Sequence, residues 1–163
     1  MENRNTLIAW LNDAYGLERA IAQLLQRQAQ STDDQEVRGR LRWHLEETDR
    51  HAEMVKRCIE QLNGTVSTAK SAVGAAAGFL QGLMGWMPDD ALVKNLLADY
   101  AAEQFEIASY KALIVAAQTA GEPQIAETCQ QILLDEERMA QWIDERLPHV
   151  IRSYLMDHVE ARR

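Results

Sequence analysis

DYAAEQFEIASYKAL, residues 99–113, sets acids where a helix keeps its hydrophobic stripe. Stepping alternately by four and three through the surrounding segment picks out Leu92, Leu96, Asp99, Glu103, Glu106, Tyr110, Leu113 and Ala117. A spacing that averages about 3.5 residues keeps one face toward partner helices, so the acids on that face point inward. Burying an ionised carboxylate without a partner is costly, and only a proton, a cationic side chain or a metal removes the cost.

Three other segments repeat the pattern. The first runs Leu7, Leu11, Ala14, Glu18, Ile21, Leu25, and the last runs Ile125, Cys129, Ile132, Glu136, Met139, Ile143. Between them lies Val37, Leu41, His44, Thr48, His51, Val55, Cys58, Leu62, with Glu47 on the flank beside His44 and His51. Each segment therefore carries a carboxylate about fourteen residues into its helix. Antiparallel packing brings Glu18, Glu47, Glu103 and Glu136 to one height.

Composition limits the alternatives. The 163 residues are 47% hydrophobic and 26% charged, which suits one globular domain spanning residues 1–163 with a core that needs no disulfide. A net charge of −8 with no basic face argues against nucleic acid as a partner. Cys58 and Cys129 fall on apolar seams and form no CxxC pair, so they read as small buried hydrophobes in a reducing compartment. The polar opening Glu2, Asn3, Arg4, Asn5 lacks an apolar signal core, and a cytoplasmic location is expected.

The punctuation predicts bundle helices at about residues 5–30, 33–63, 89–120 and 122–147. Thr32 with Gln35 offers a capping box for the second, Gly64 a left-handed close, and Gly121 with Pro123 a break before the fourth. Pro148 is expected to end the fourth helix, leaving a short C-terminal helix over 149–158. Short links at 31–34 and 120–123 make two antiparallel hairpins. Residues 65–88 form a long helical crossover rich in glycine (Gly74, Gly78, Gly82, Gly85), whose spacing suits close packing on the bundle or across a dimer interface. Its apolar stretch is shorter than the ~20 residues of a membrane span, so membrane insertion is not expected.

Glu106 stands one turn after Glu103, and His51 one turn after Glu47. The candidate ligand set is thus Glu18, Glu47, His51, Glu103, Glu106 and Glu136. Oxygen-rich donors with one imidazole suit iron or manganese in a two-metal site and suit tetrahedral structural zinc poorly. Helical geometry turns Glu47 toward His51 while Glu46 points outward, and it favours Glu136 over Glu137. His44 reads better as packing than as a ligand, and Tyr15, Tyr100 and Tyr110 read as core aromatics within reach of carboxylates.

HLEET at 44–48 with His51, EQFEIASY at 103–110, LDEER at 134–138 and DAYGLERA at 13–20 together resemble the YciF-like branch of the ferritin-like superfamily. The resemblance covers about residues 5–147. It implies an all-α, antiparallel four-helix ferritin-like bundle, a di-iron or di-manganese centre, a homodimer and an association with bacterial stress. The chain departs from the common arrangement with Glu-x-x-His on two helices. His51 follows Glu47 by four, and Met139 and Ala140 stand where the fourth helix would carry a histidine. The expected chemistry is ferrous oxidation or peroxide reduction, with dioxygen or peroxide as small-molecule substrate. The alternative is a non-catalytic helical partner or structural protein whose metal is structural or absent.

Overall fold

The computed structural model describes residues 2–66, 78, 82 and 91–160, with side chains through residue 156. Among the described residues the chain is a ferritin-like bundle of α1 (Glu2–Ser31), α2 (Gln35–Gln61), α3 (Ala91–Ala120) and α4 (Pro123–Glu160). The seams predicted from spacing are the buried faces: every seam position named above is buried, apart from a half-buried Leu92.

Side-chain contacts give the relative direction of each pairing. Glu18 meets Tyr110, and Gln28, ten residues further along α1, meets Asp99, eleven residues earlier in α3, so these helices run antiparallel. His51 with Glu136 and Gln61 with Gln124 give the same result for α2 and α4. With both hairpins antiparallel as well, α2 and α3 point the same way. The chain therefore leaves α2 at one end of the bundle and re-enters α3 at the other. Apart from Thr65, Val66, Gly78 and Gly82, the crossover expected at 65–88 lies outside the described residues, and so does its packing; Gly78 and Gly82 are helical and exposed. No described helix is long and apolar enough to cross a membrane.

The helix ends differ from expectation in three places. Asp34, not Thr32, caps α2: its Oδ1 accepts from the backbone N–H of Glu36 and of Val37, each at 3.0 Å. Arg146 of α4 reaches Asp34 Oδ2 at 2.9 Å and Glu36 Oε2 at 2.8 Å, a reason to hold the acid there that no local pattern contains. At the other end Asn63, with φ 54°, takes the left-handed conformation. Gly64 is needed for a different reason, because an added Cβ would stand 2.9 Å from Ile8 Cγ2 and 3.1 Å from the carbonyl oxygen of Ile59.

Pro148 does not end α4, which continues through it to Glu160, so the short C-terminal helix is a continuation of the fourth. Proline costs the helix one hydrogen bond, that to the carbonyl of Asp144. Pro148 and Asp144 are both exposed, so water can take that carbonyl. The buried Val150, with Ile151 and Tyr154 packed on the same apolar cluster, stabilises the turns beyond.

Two apolar clusters fill the bundle. One gathers Leu7, Leu11, Val55, Ile59, Leu113, Ile125 and Ile132, and the other Leu17, Ile21, Leu25, Leu41, Leu96, Met139 and Ile143. The acids occupy the level between them, where neither end of the bundle offers water.

Asp34 supplies a test of the capping. Burial alone would raise its pKa, yet the Val37 N–H, Arg146 and the Glu36 N–H together hold it below the ordinary 3.8. A depressed carboxyl stabilises the fold above its unfolded pKa and loses that contribution as pH falls through the folded value. Asp34→Ala should lower stability to urea by about 1 kcal/mol at pH 7, and Asp34→Asn by less. The difference between the parent and Asp34→Asn should shrink as the pH is taken below 3.8.

Candidate metal centre

All four helices contribute. Glu18 comes from α1, His44, Glu47, Thr48 and His51 from α2, Glu103, Glu106 and Tyr110 from α3, and Glu136 from α4, and every one of them is buried. Glu46 and Glu137, the neighbours passed over on helical geometry, are exposed.

Within this level two trios of donors close up. Glu18, His51 and Glu136 offer one atom each within 4.8 Å of one another, and so do His44, Glu103 and Glu136. Glu136 belongs to both. Its Oε1 lies 2.8 Å from His51 Nδ1, and its Oε2 lies 3.5 Å from His44 Nε2. Glu103 Oε1 approaches the same His44 nitrogen at 3.1 Å, while Glu18 Oε2 stands 3.8 Å from His51 Nδ1.

Each imidazole turns one nitrogen into the cluster and gives the other to an outer carboxylate. His51 Nε2 donates to Asp135 Oδ2 at 3.0 Å, and His44 Nδ1 donates to Glu47 Oε2 at 3.2 Å. This is the arrangement that fixes ring orientation and tautomer in metal-binding histidines. Of the six predicted site residues, Glu18, His51 and Glu136 are thus brought into one trio and Glu103 into the other. Glu47 stands on the outer nitrogen of His44, and Glu106 is buried beside both trios without joining either. His44, read from sequence as packing, sits at the centre of the second trio.

The donors only partly satisfy one another. Glu18 Oε2, Glu103 Oε2, Glu106 Oε1, both oxygens of Glu136 and His51 Nδ1 are buried with no hydrogen-bond partner. His51 Nδ1 approaches Glu136 Oε1 to 2.8 Å as a buried ion pair. Converging, unpaired oxygens with imidazole nitrogens fit iron or manganese. Two divalent ions would balance the charge of the inner carboxyls of Glu18, Glu103, Glu106 and Glu136.

Without a cation, protons must carry that balance. Burial, then the charge of Glu136, pushes Glu18 up to about 8 even though His51 and a hydrogen bond from Tyr110 pull the other way. Glu136 rises to about 7, again through burial first. Burial and the charges of Glu136, Glu18 and Glu103 push Glu106 well above its usual range. The imidazoles respond in the opposite sense. Burial disfavours their charged form, but the surrounding carboxylates outweigh it, raising His51 to about 9 and His44 well above its usual value. Glu47, also opposed by burial, drops to about 2 on its hydrogen bonds with His44 and Trp43.

Other features belong to the surroundings. Three residues before His51 stands Thr48, fully buried with an unpartnered hydroxyl, where a Glu-x-x-His motif would hold its acid. Three residues after Glu136 stands Met139, whose sulfur receives Arg40 Nε at 3.3 Å. Below the second trio Gln28 Nε2 donates to Asp99 Oδ1 at 2.9 Å, and burial drives Asp99 up to about 7. Asp135 could have been suspected only from its place beside Glu136.

Residues 2–156 match the family described as Domain of unknown function (DUF892). A protein from Xanthomonas campestris pv. campestris is 34% identical, with a TM-score of 0.84 over 97% of this chain and 99% of that one. The E. coli stress protein YciF is 21% identical and superposes with a TM-score of 0.80 over 92% of this chain and 97% of its own. A ferritin-like, diiron-carboxylate protein from Bacillus anthracis is 17% identical, with a TM-score of 0.75 over 90% and 99% of the two chains.

Glu106 gives a test of the strained charge balance. A carboxyl raised in the folded state costs stability at pH values above its unfolded value, here 4.5, and the cost grows as pH climbs toward the folded pKa. Glu106→Gln in metal-free protein should therefore raise stability to urea at pH 7 by about 1–4 kcal/mol. The gain should fade toward pH 4.5.

Proposed function

The chain belongs to the DUF892 family and to the YciF-like branch of the ferritin-like superfamily, and from that premise we propose that it binds a carboxylate-rich di-iron or di-manganese centre and uses it to oxidise ferrous iron or reduce peroxide. The observation that carries this reading is the position of Glu136, buried completely and common to both donor trios. One ion would be held by Glu18, His51 and Glu136, the other by His44, Glu103 and Glu136, with Glu106 as a further oxygen donor beside them. Bound iron or manganese supplies one-electron steps toward dioxygen or peroxide.

The protein's own side chains set the conditions for that chemistry. Asp135 and Glu47 hold the imidazoles with one nitrogen inward. Tyr110 donates its hydroxyl proton to Glu18 Oε1 and so restrains one carboxylate on the first trio. The apolar clusters above and below exclude bulk water and keep the electrostatics strong. A homodimer, a cytoplasmic setting and a role in bacterial stress belong to the same proposal.

The second reading, a helical partner or structural protein without a redox cycle, is favoured by one feature. Met139 with the Arg40 guanidinium occupies the place where a symmetric site would carry another imidazole.

Protein purified without chelators or affinity tags should hold iron or manganese at about two ions per chain by elemental analysis. Glu136→Ala should remove both, and Glu47→Ala combined with Glu103→Ala should abolish stoichiometric loading. Asp135→Asn should weaken loading about 10- to 100-fold. Because Glu18 and His51 hold protons to about 8 and about 9, binding at neutral pH should release protons and tighten from about pH 6 to about pH 8. Loaded protein should consume peroxide or oxidise ferrous ion at a rate lost with Glu136→Ala. A metal-free dimer indifferent to these substitutions would establish the second reading.

A further inference from the structure

Cys58 and Cys129 are the chain's two cysteines, and neither takes part in the acidic cluster. Both are unbridged and buried, Cys58 on α2 and Cys129 on α4, within one apolar cluster. The register of these antiparallel helices sets them level. Cys58 lies seven residues beyond His51 and Cys129 seven before Glu136, two turns along each helix from a contact of 2.8 Å. On the far side the pair is bracketed by Gln61, whose Nε2 donates to Gln124 Oε1 at 3.1 Å.

We propose that Cys58 and Cys129 form a reversible disulfide across the α2–α4 interface, with hydrogen peroxide as oxidant. In the first step the sulfur of Cys58 attacks one peroxide oxygen, the O–O bond breaks, and a sulfenic acid and water result. In the second the sulfur of Cys129 attacks the sulfenic sulfur, the S–S bond forms, the S–O bond breaks, and a second water leaves. Two thiols lose two electrons and two protons, and one peroxide becomes two waters. Burial pushes the Cys58 thiol up as well, but less far than that of Cys129, so Cys58 is the attacking group. Cys129, raised to about 12 by burial and then by the charge of Cys58, remains the thiol that resolves.

Burial also selects the oxidant. Peroxide is small enough to reach a core that bulky disulfide reagents do not enter, so the pair stays reduced in a thiol-buffered compartment until peroxide appears. The bond would tie together the two helices that set His51 against Glu136, across an interface less extensive than those within the hairpins.

The test uses reduced, chelator-treated full-length protein, so that its result is independent of metal loading. After exposure to hydrogen peroxide the chain is unfolded with a thiol-blocking reagent and digested without reductant. The expected product is one peptide species joining the Cys58 and Cys129 segments within a single chain, both thiols lost and both recovered with dithiothreitol. Thermal unfolding should shift upward on the order of 10 °C for a closed loop of this length, and Cys58→Ser should show no shift under the same treatment. Two blocked thiols in treated protein, sulfinic acid without a cross-link, or a bond between two chains would each overturn the proposal.

Discussion

Burial of Glu136 between donors from the other helices is the constraint around which the bundle is arranged. A carboxylate at that depth is far costlier than one at the surface, and its neighbours on α1 and α3 add like charge. Two imidazoles from α2 offset part of that cost and become cationic in doing so. The remainder falls on protons or on a metal. Stability and the proposed function are set against each other here, since the carboxyls that would hold a metal are those that weaken the metal-free fold.

The rest of the molecule holds this level in place. Apolar clusters on both sides supply the burial that offsets the charged layer, at about 25 cal/mol for each Å² of apolar surface removed from water. Arg146 fastens the start of α2 to α4 through Asp34 and Glu36, and the tight approach at Gly64 seats the other end of α2 against Ile8 of α1. Both ends of α2 are thereby anchored. A helix presenting His44 and His51 two turns apart cannot rotate or slide without losing one of these attachments.

Much of this was legible in the sequence because a helix repeats with a fixed period. The seams placed Glu18, Glu103 and Glu136 inside, and the same geometry separated Glu47 from Glu46 and Glu136 from Glu137. The role of His44 was not legible. An imidazole on an apolar stripe looks the same whether it packs or faces an acid, and what it faces depends on Glu103, fifty-nine residues away on another helix. Asp34 outcompeted Thr32 as a cap through Arg146, which lies more than a hundred residues further along. Pro148 failed to break α4 because Val150 and Tyr154 had packing to gain, and local propensity carries no record of that. Asn63 took the left-handed turn, whereas the adjacent Gly64 answers a steric demand from α1.

Neither donor trio is contained within one hairpin. The first draws on α1, α2 and α4, the second on α2, α3 and α4. Each half of the chain alone therefore presents an incomplete donor set, and an ion bound there would act as a clasp between halves. Its escape would require the hairpins to part, so residence time would track the rarest breathing motions of the molecule and not the strength of any single ligand.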